Sequence, residues 1–274
     1  MAKMAFMQIS FYSKVLNMVT NMSAIIPEKS NGVGISRNEQ RETTQWPVLY
    51  LLHGGSDDSS KWWRYTSIER YAAERNIAVI MPEVGQSGYV NMKYGPDYFT
   101  FISEEVPEMA HHIFHLSQKR EETAICGVSM GGNGALKVGL KYPDRFSTIG
   151  VFSAGNKIAE KEFTTAQVPQ EGIDYRRKRN IWIYGTNDLN SLIGNPEVDV
   201  FQMAKDAIDR GGPLPKIFSV LGHEDHNYRG VQLTRNFFES LSGNPFRFEH
   251  HEGSGKHEWA FWENWIEEFL DRAF

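Results

Sequence analysis

Residues 123–136, TAICGVSMGGNGAL, carry one serine among glycines and small side chains. The five residues Gly127-Val128-Ser129-Met130-Gly131 match G-x-S-x-G. An apolar run precedes them and a helical pattern, GGNGALKVGLKY, follows. On a sharp strand-to-helix turn such a serine is forced into a strained backbone conformation, and only small neighbours avoid a clash with it. The N-terminus of the following helix offers unpaired N–H groups to a developing negative charge. Ser129 is therefore read as a nucleophile. Phosphate-loop readings fail, because Lys137 is not placed for G-x-x-x-x-G-K-[ST] and G-x-G-x-x-G does not occur.

The rest of the chain repeats that strand–helix rhythm. Residues 47–55 (PVLYLLHGG), 77–83 (IAVIMPE), 146–154 (FSTIGVFSA) and 216–222 (KIFSVLG) are short, nearly continuous apolar runs. Such runs suit strands buried on both faces of a parallel sheet. Helical patterns cover 59–75, 98–118, 130–142, 228–242 and 258–273, with a further strand at 246–252. AFMQISFYS and MVTNMSAIIP alternate apolar and polar residues, as a leading hairpin does. Alternating strand and helix predicts an α/β fold. The rhythm breaks over 155–214, which is read as a cap-like insertion in one domain spanning 1–274.

Composition narrows the function. The net charge of −5 argues against a nucleic-acid partner, which asks for a basic stripe. No run of about 18 apolar residues occurs, so neither a membrane span nor a signal-peptide core is expected. The single cysteine, Cys126, allows no disulfide within the chain. A cytoplasmic setting is the expectation.

A nucleophilic serine needs a base, an acid and an oxyanion site. LLHGGSDD (51–58) follows the third strand. Its Gly55 N–H and that of Met130 are the expected oxyanion donors, since two must converge at about 3 Å. His53 precedes the glycines and reads as a brace for the loop. His111 and His115, spaced one helical turn apart, lack a supporting carboxylate or thiol and read as a solvated helix face. No metal and no cofactor are expected. His257, in GSGKHEWAFW, follows a glycine-rich loop and opens the last helix, which suits a general base.

Two aspartates compete for the acid. NIWIYGTNDLN holds Asp188 and KIFSVLGHEDHNY holds Asp225; each is an apolar run, a glycine, two residues and an aspartate. In the expected order Ser, acid, His, one helix and one strand separate acid from base. The 32 residues from Asp225 to His257 hold those two elements. The 69 from Asp188 would need a further pair. Asp225 is favoured, with Asp188 left open. Trp62, Trp63 and Tyr94 are placed as candidates for the cleft mouth, because their loops should lie near the strand C-termini, where α/β sheets bind ligands.

With these residues assigned, the chain resembles the esterase D-like branch of the α/β-hydrolases, and bacterial tributyrin-type esterases in particular. LYLLHGGSDDSSKWW, VIMPE, YGPDYFTFISEEVPE, GVSMGGNGALK, GHEDHNY and HEWAFWENWIEEFL follow in family order from residue 48. HEW-x-FW after a glycine loop and YG-x-DY-x-T before the nucleophile are the specific signals. The resemblance implies an α/β-hydrolase fold: a mostly parallel twisted sheet, helices on both faces and a small cap. It implies a serine carboxylesterase acting through an acyl-enzyme on short-chain acyl or small aromatic acid esters. It places the acid at Asp225, requires no metal, and suggests a homodimer or homotetramer. An S-formylglutathione hydrolase-type thioesterase and an acyltransferase are the alternatives; a non-catalytic binding protein, which would be expected to lack a triad member, is the least favoured.

Overall fold

The computed structural model describes residues 3–28, 45–159 and 170–274. Eight strands form one sheet in the order β1-β2-β4-β3-β5-β6-β7-β8. The expected hairpin is β1 (Met4–Ser13) against β2 (Met18–Pro27), and β2 runs antiparallel to β4 (Ala78–Pro82). From β4 onward all pairs are parallel: β3 (Val48–Leu52), β5 (Thr123–Val128), β6 (Thr148–Phe152), β7 (Lys216–Gly222) and β8 (Glu249–Gly253). After β3 the chain turns outward to β4, then returns past β3 to β5. The sheet order thus reverses beside the C-terminal end of β3, where open α/β sheets place ligands.

The apolar strands face two cores. Val48, Tyr50 and Leu52 of β3 join one cluster; Leu49 and Leu51 join the other. Helices α5 (Met130–Lys141) and α7 (Val200–Arg210) cover the first face, and α2 (Ile68–Arg75) and α9 (Trp259–Ala273) cover the second. Burial on both sides is why these strands lack a polar alternation.

Three expectations need adjustment. The helix expected over 59–75 is two, α1 (Lys61–Tyr65) and α2, broken at Thr66 and Ser67. The helix expected over 98–118 comprises α3 (Tyr98–Thr100), a π-helical turn (Phe101–Glu105) and α4 (Val106–Ile113). It ends before His115, so His111 and His115 do not share a helix face. Within 155–214, residues 160–169 lie outside the described residues. Downstream of them come α6 (Gln170–Tyr184), a short 3₁₀ turn (Leu189–Leu192) and α7. Here α7 buries Val200, Met203, Ala204 and Ala207 against the sheet's helix layer, so the expected cap is shorter than 155–214. The apolar run NIWIY is the last part of α6, closed by Gly185 at φ +74°. A short apolar run has no period of its own to separate helix from strand. α8 (Tyr228–Ser240) links β7 to β8.

Candidate active site

Ser129 sits at the end of β5 and caps α5, with φ 54° and ψ −117°. A non-glycine residue there stores about 1–3 kcal/mol of backbone strain, held only because the surroundings over-determine it. The Ser129 N–H is tied to the Phe152 carbonyl at 2.8 Å, and its carbonyl accepts from Gly132 N–H at 3.1 Å. The flanking glycines are explained by distance. A Cβ on Gly127 would lie 2.4 Å from the Gly131 backbone, and one on Gly131 would lie 2.5 Å from the Leu52 carbonyl oxygen. The elbow is thus wedged between its own helix and the end of β3.

That wedge brings the glycine loop to the serine. The Cβ position of Gly54 is 3.7 Å from Ser129 Cβ, and that of Gly55 is 3.8 Å from Met130 Cβ. The loop is braced by His53, which is 1% exposed. Its Nδ1 donates to the Gly54 carbonyl at 2.7 Å, and its Nε2 accepts from Val84 N–H at 3.1 Å. Met130 opens α5, where the first N–H groups have no intrahelical acceptor.

Asp225 and His257 meet where two loops run side by side. Asp225 follows β7, and His257 lies between β8 and α9. Three hydrogen bonds lace the two loops together: His223 N–H to Gly253 O, Glu224 N–H to Gly255 O, and Gly255 N–H to Glu224 Oε2, at 2.8, 3.0 and 2.7 Å. A Cβ on Gly222 would lie 2.2 Å from the Gly255 oxygen, so the fit requires glycine there. His257 Nδ1 stands 3.0 Å from both Asp225 carboxylate oxygens. The acceptor carboxylate keeps the ring proton on Nδ1 and leaves Nε2 with an open lone pair.

Burial pushes the Asp225 carboxyl up, but hydrogen bonds from His257, the Ser153 hydroxyl and the Asn227 N–H outweigh it, and the net shift is downward. Asp225 therefore stays ionised although 4% exposed. Asp188 is elsewhere. It is exposed on the 3₁₀ turn and accepts from Asn190 N–H at 3.1 Å as a cap.

Sequence reasoning missed three supporting residues. Ser153, buried at the end of β6 with φ 52°, hydrogen-bonds Asp225 and accepts from Trp262 Nε1 at 2.9 Å. Trp262 in turn stands edge-on to the His257 ring, with centroids 5.0 Å apart. His226 packs 4.3 Å from His257, and its pKa is lowered by burial and by the charges of His257, Lys157 and Arg176. The second W of HEWAFW could have signalled Trp262; nothing local marks Ser153. Asp225, His226 and His257 hold three ligand-type atoms within 4.8 Å of one another, although Asp225 and His257 are already engaged with each other.

A cleft of about 480 Å³ holds Ser129, Met130, Gly54, Gly55 and His257 together. The tryptophans at it are Trp259 and Trp262. Trp62, Trp63 and Tyr94, expected at the mouth, do not line it. Trp62 is 1% exposed, with its Nε1 bonded to the Leu52 carbonyl at 3.0 Å, and it packs edge-on behind Trp259. Trp63 packs on Phe6 of the hairpin. Tyr94 is exposed beside Trp182, to whose carbonyl its N–H donates at 3.0 Å. Eight residues separate the end of β3 from the start of α1, enough for its tryptophans to turn under the loop instead of over it.

This sheet order, with a strained serine at the end of β5, defines an α/β-hydrolase. The family model described as "Putative esterase" matches residues 23–272. The chain belongs to this esterase family and is a carboxylic ester hydrolase of the serine type. It is 32% identical over 264 residues to an acetyl esterase of Caldicellulosiruptor saccharolyticus, covering 96% of each chain. It is similar in structure to an S-formylglutathione hydrolase of Staphylococcus aureus, at 31% identity, TM-score 0.79 and 99% coverage of both chains. The fluorophosphonate-binding serine hydrolase F of Staphylococcus aureus, solved with substrate bound, matches at 29% identity, TM-score 0.76 and 98% coverage of both. No described helix is long and apolar enough to cross a membrane.

Proposed function

We propose that Ser129, His257 and Asp225 form the catalytic triad of a carboxylesterase for short-chain acyl or small aromatic acid esters. Ser129 Oγ attacks the acyl carbonyl as His257 Nε2 takes its proton. Asp225 holds the tautomer and stabilises the imidazolium that forms. The N–H groups of Met130 and Gly55 receive the oxyanion. Collapse expels the alcohol, which leaves with the proton from His257; water then repeats the sequence on the acyl-enzyme. The observation that carries this reading is the 3.0 Å clamp of Asp225 on His257 Nδ1, in a cleft that His257 shares with the strained Ser129. The modest cleft volume and its two tryptophans support a small acyl group.

The test is a fluorophosphonate label followed by peptide mapping, with turnover of p-nitrophenyl esters of rising chain length. The label is expected on Ser129 alone, Ser129→Ala is expected to be inactive, and rates are expected to fall beyond short chains. A label on another serine, or an active Ser129→Ala, overturns the assignment.

A further inference from the structure

We infer that the cap helix α6 grips a carboxylate on the substrate, so that esters carrying an anionic group near the scissile carbonyl are preferred. The inference rests on the serine esterase reading above and narrows its substrate class.

The argument begins with the helix pattern. Arg176, Arg179, Asn180 and Ile183 of α6 line the cleft. Their spacing, i, i+3, i+4, i+7, is the stripe a helix turns inward, and in a globular protein that stripe is apolar. Here it starts with two arginines and an asparagine. Ile183 is buried, but two other apolar residues of the same helix face outward: Ile181 is 41% exposed and Trp182 is 64% exposed. Turning guanidinium groups toward a cleft while leaving a tryptophan in water is costly for folding, and a buried charge needs a partner.

Arg179 is half-buried and keeps one donor unsatisfied among the described residues: its Nε is buried without a hydrogen-bond acceptor. Lys157, Arg176 and Arg179 line the cleft, against Asp57 as the one described carboxylate there. Asp57 already has Lys61 at 3.8 Å. In a chain of net charge −5, three cationic side chains thus line one cleft. Lys157 and Arg176 also act on the His226 ring, 4.3 Å from His257, so the cationic wall stands close to the reacting centre. A planar guanidinium fork matches a carboxylate in two parallel hydrogen bonds. The carboxylate undergoes no bond change; it positions the ester while hydrolysis proceeds at Ser129.

The anion could belong to the acyl part or to the alcohol part, and two matched pairs separate them. On the acyl side, 4-nitrophenyl hemiglutarate is compared with 4-nitrophenyl valerate. On the alcohol side, 4-acetoxybenzoate is compared with its methyl ester. Each enzyme is read as its own ratio of kcat/KM, anionic over neutral, which cancels any loss of folded protein. Arg179→Met is expected to lower that ratio by about tenfold or more in one arm, the scale of a charge-assisted hydrogen bond, with most of the change in KM. Arg179→Lys is expected to restore part of it, and rising salt to lower the wild-type ratio. A ratio unchanged by Arg179→Met in both arms overturns the inference. Neutral esters turned over through Ser129 with no such change would leave the esterase reading standing; turnover of neutral esters by Ser129→Ala would instead remove that reading.

Discussion

Replacing Asp225 by asparagine tests the site where its geometry is most specific. One carboxylate oxygen already accepts from Asn227 N–H at 2.7 Å. The carbonyl oxygen of an asparagine would keep that bond, which puts its NH₂ where the second oxygen stood, 3.0 Å from His257 Nδ1. Across that contact two donors oppose each other, and only the amide oxygen, also 3.0 Å from Nδ1, is left to accept the ring proton. Moving the proton to Nε2 relieves the opposition, and in that tautomer the imidazole cannot take the proton of Ser129. The negative charge that stabilises the imidazolium is lost as well. On the serine protease template this change lowers kcat by about 10⁴, or about 5.5 kcal/mol of activation free energy. Asp188→Asn is the comparison. Its carboxylate caps a turn on the surface, and asparagine caps equally well. The assay is kcat on p-nitrophenyl butyrate, with circular dichroism as the check that both variants fold. The expected result is a nearly inactive Asp225→Asn beside an Asp188→Asn close to wild type. The reverse would mean that the acid acts from the cap and that the 3.0 Å contact is not the one used.

Two further outcomes follow from packing and burial. Gly131→Ala places a Cβ 2.5 and 2.6 Å from the Leu52 and His53 carbonyl oxygens. Both are backbone atoms that cannot swing aside, so overpacking of about 1–3 kcal/mol or more is expected, seen as a Tm lower by several degrees; an unchanged Tm would mean that the elbow is not wedged against β3. Lys137, 3% exposed with Nζ donating to the Gly88 carbonyl at 2.7 Å, has its pKa pushed down by burial to about 7. Because the unfolded lysine keeps its proton up to about 10.4, the unfolded chain binds more protons between these values, and stability rises with pH across that window. The urea midpoint is expected to climb from pH 7 to 9 in the wild type and to flatten in Lys137→Met; equal slopes would refute the assignment.

What the sequence determined alone was whatever local chemistry forces. Glycines at 127 and 131 beside a serine admit few backbones other than the elbow, and continuous apolar runs such as VLYLL are stable only when covered on both faces. The Asp225–His257 spacing is compatible with contact because one helix and one strand fill it and bring their loops side by side. The tertiary structure decided the rest. NIWIY and KIFSV have similar local preference, and only the sheet's room for one more strand beside β6 selects KIFSV, leaving NIWIY as the end of α6. The same applies to the tryptophans. An aromatic side chain buries wherever a hollow of its size exists, so Trp62 went behind Trp259, and Trp262 took the place beside His257. Ser153 carries no local mark at all. Its hydroxyl matters because β6 ends between β5 and β7, within reach of an aspartate 72 residues further along the chain. Side-chain partners at that separation are set by strand order, which is a property of the whole sheet and of no single segment.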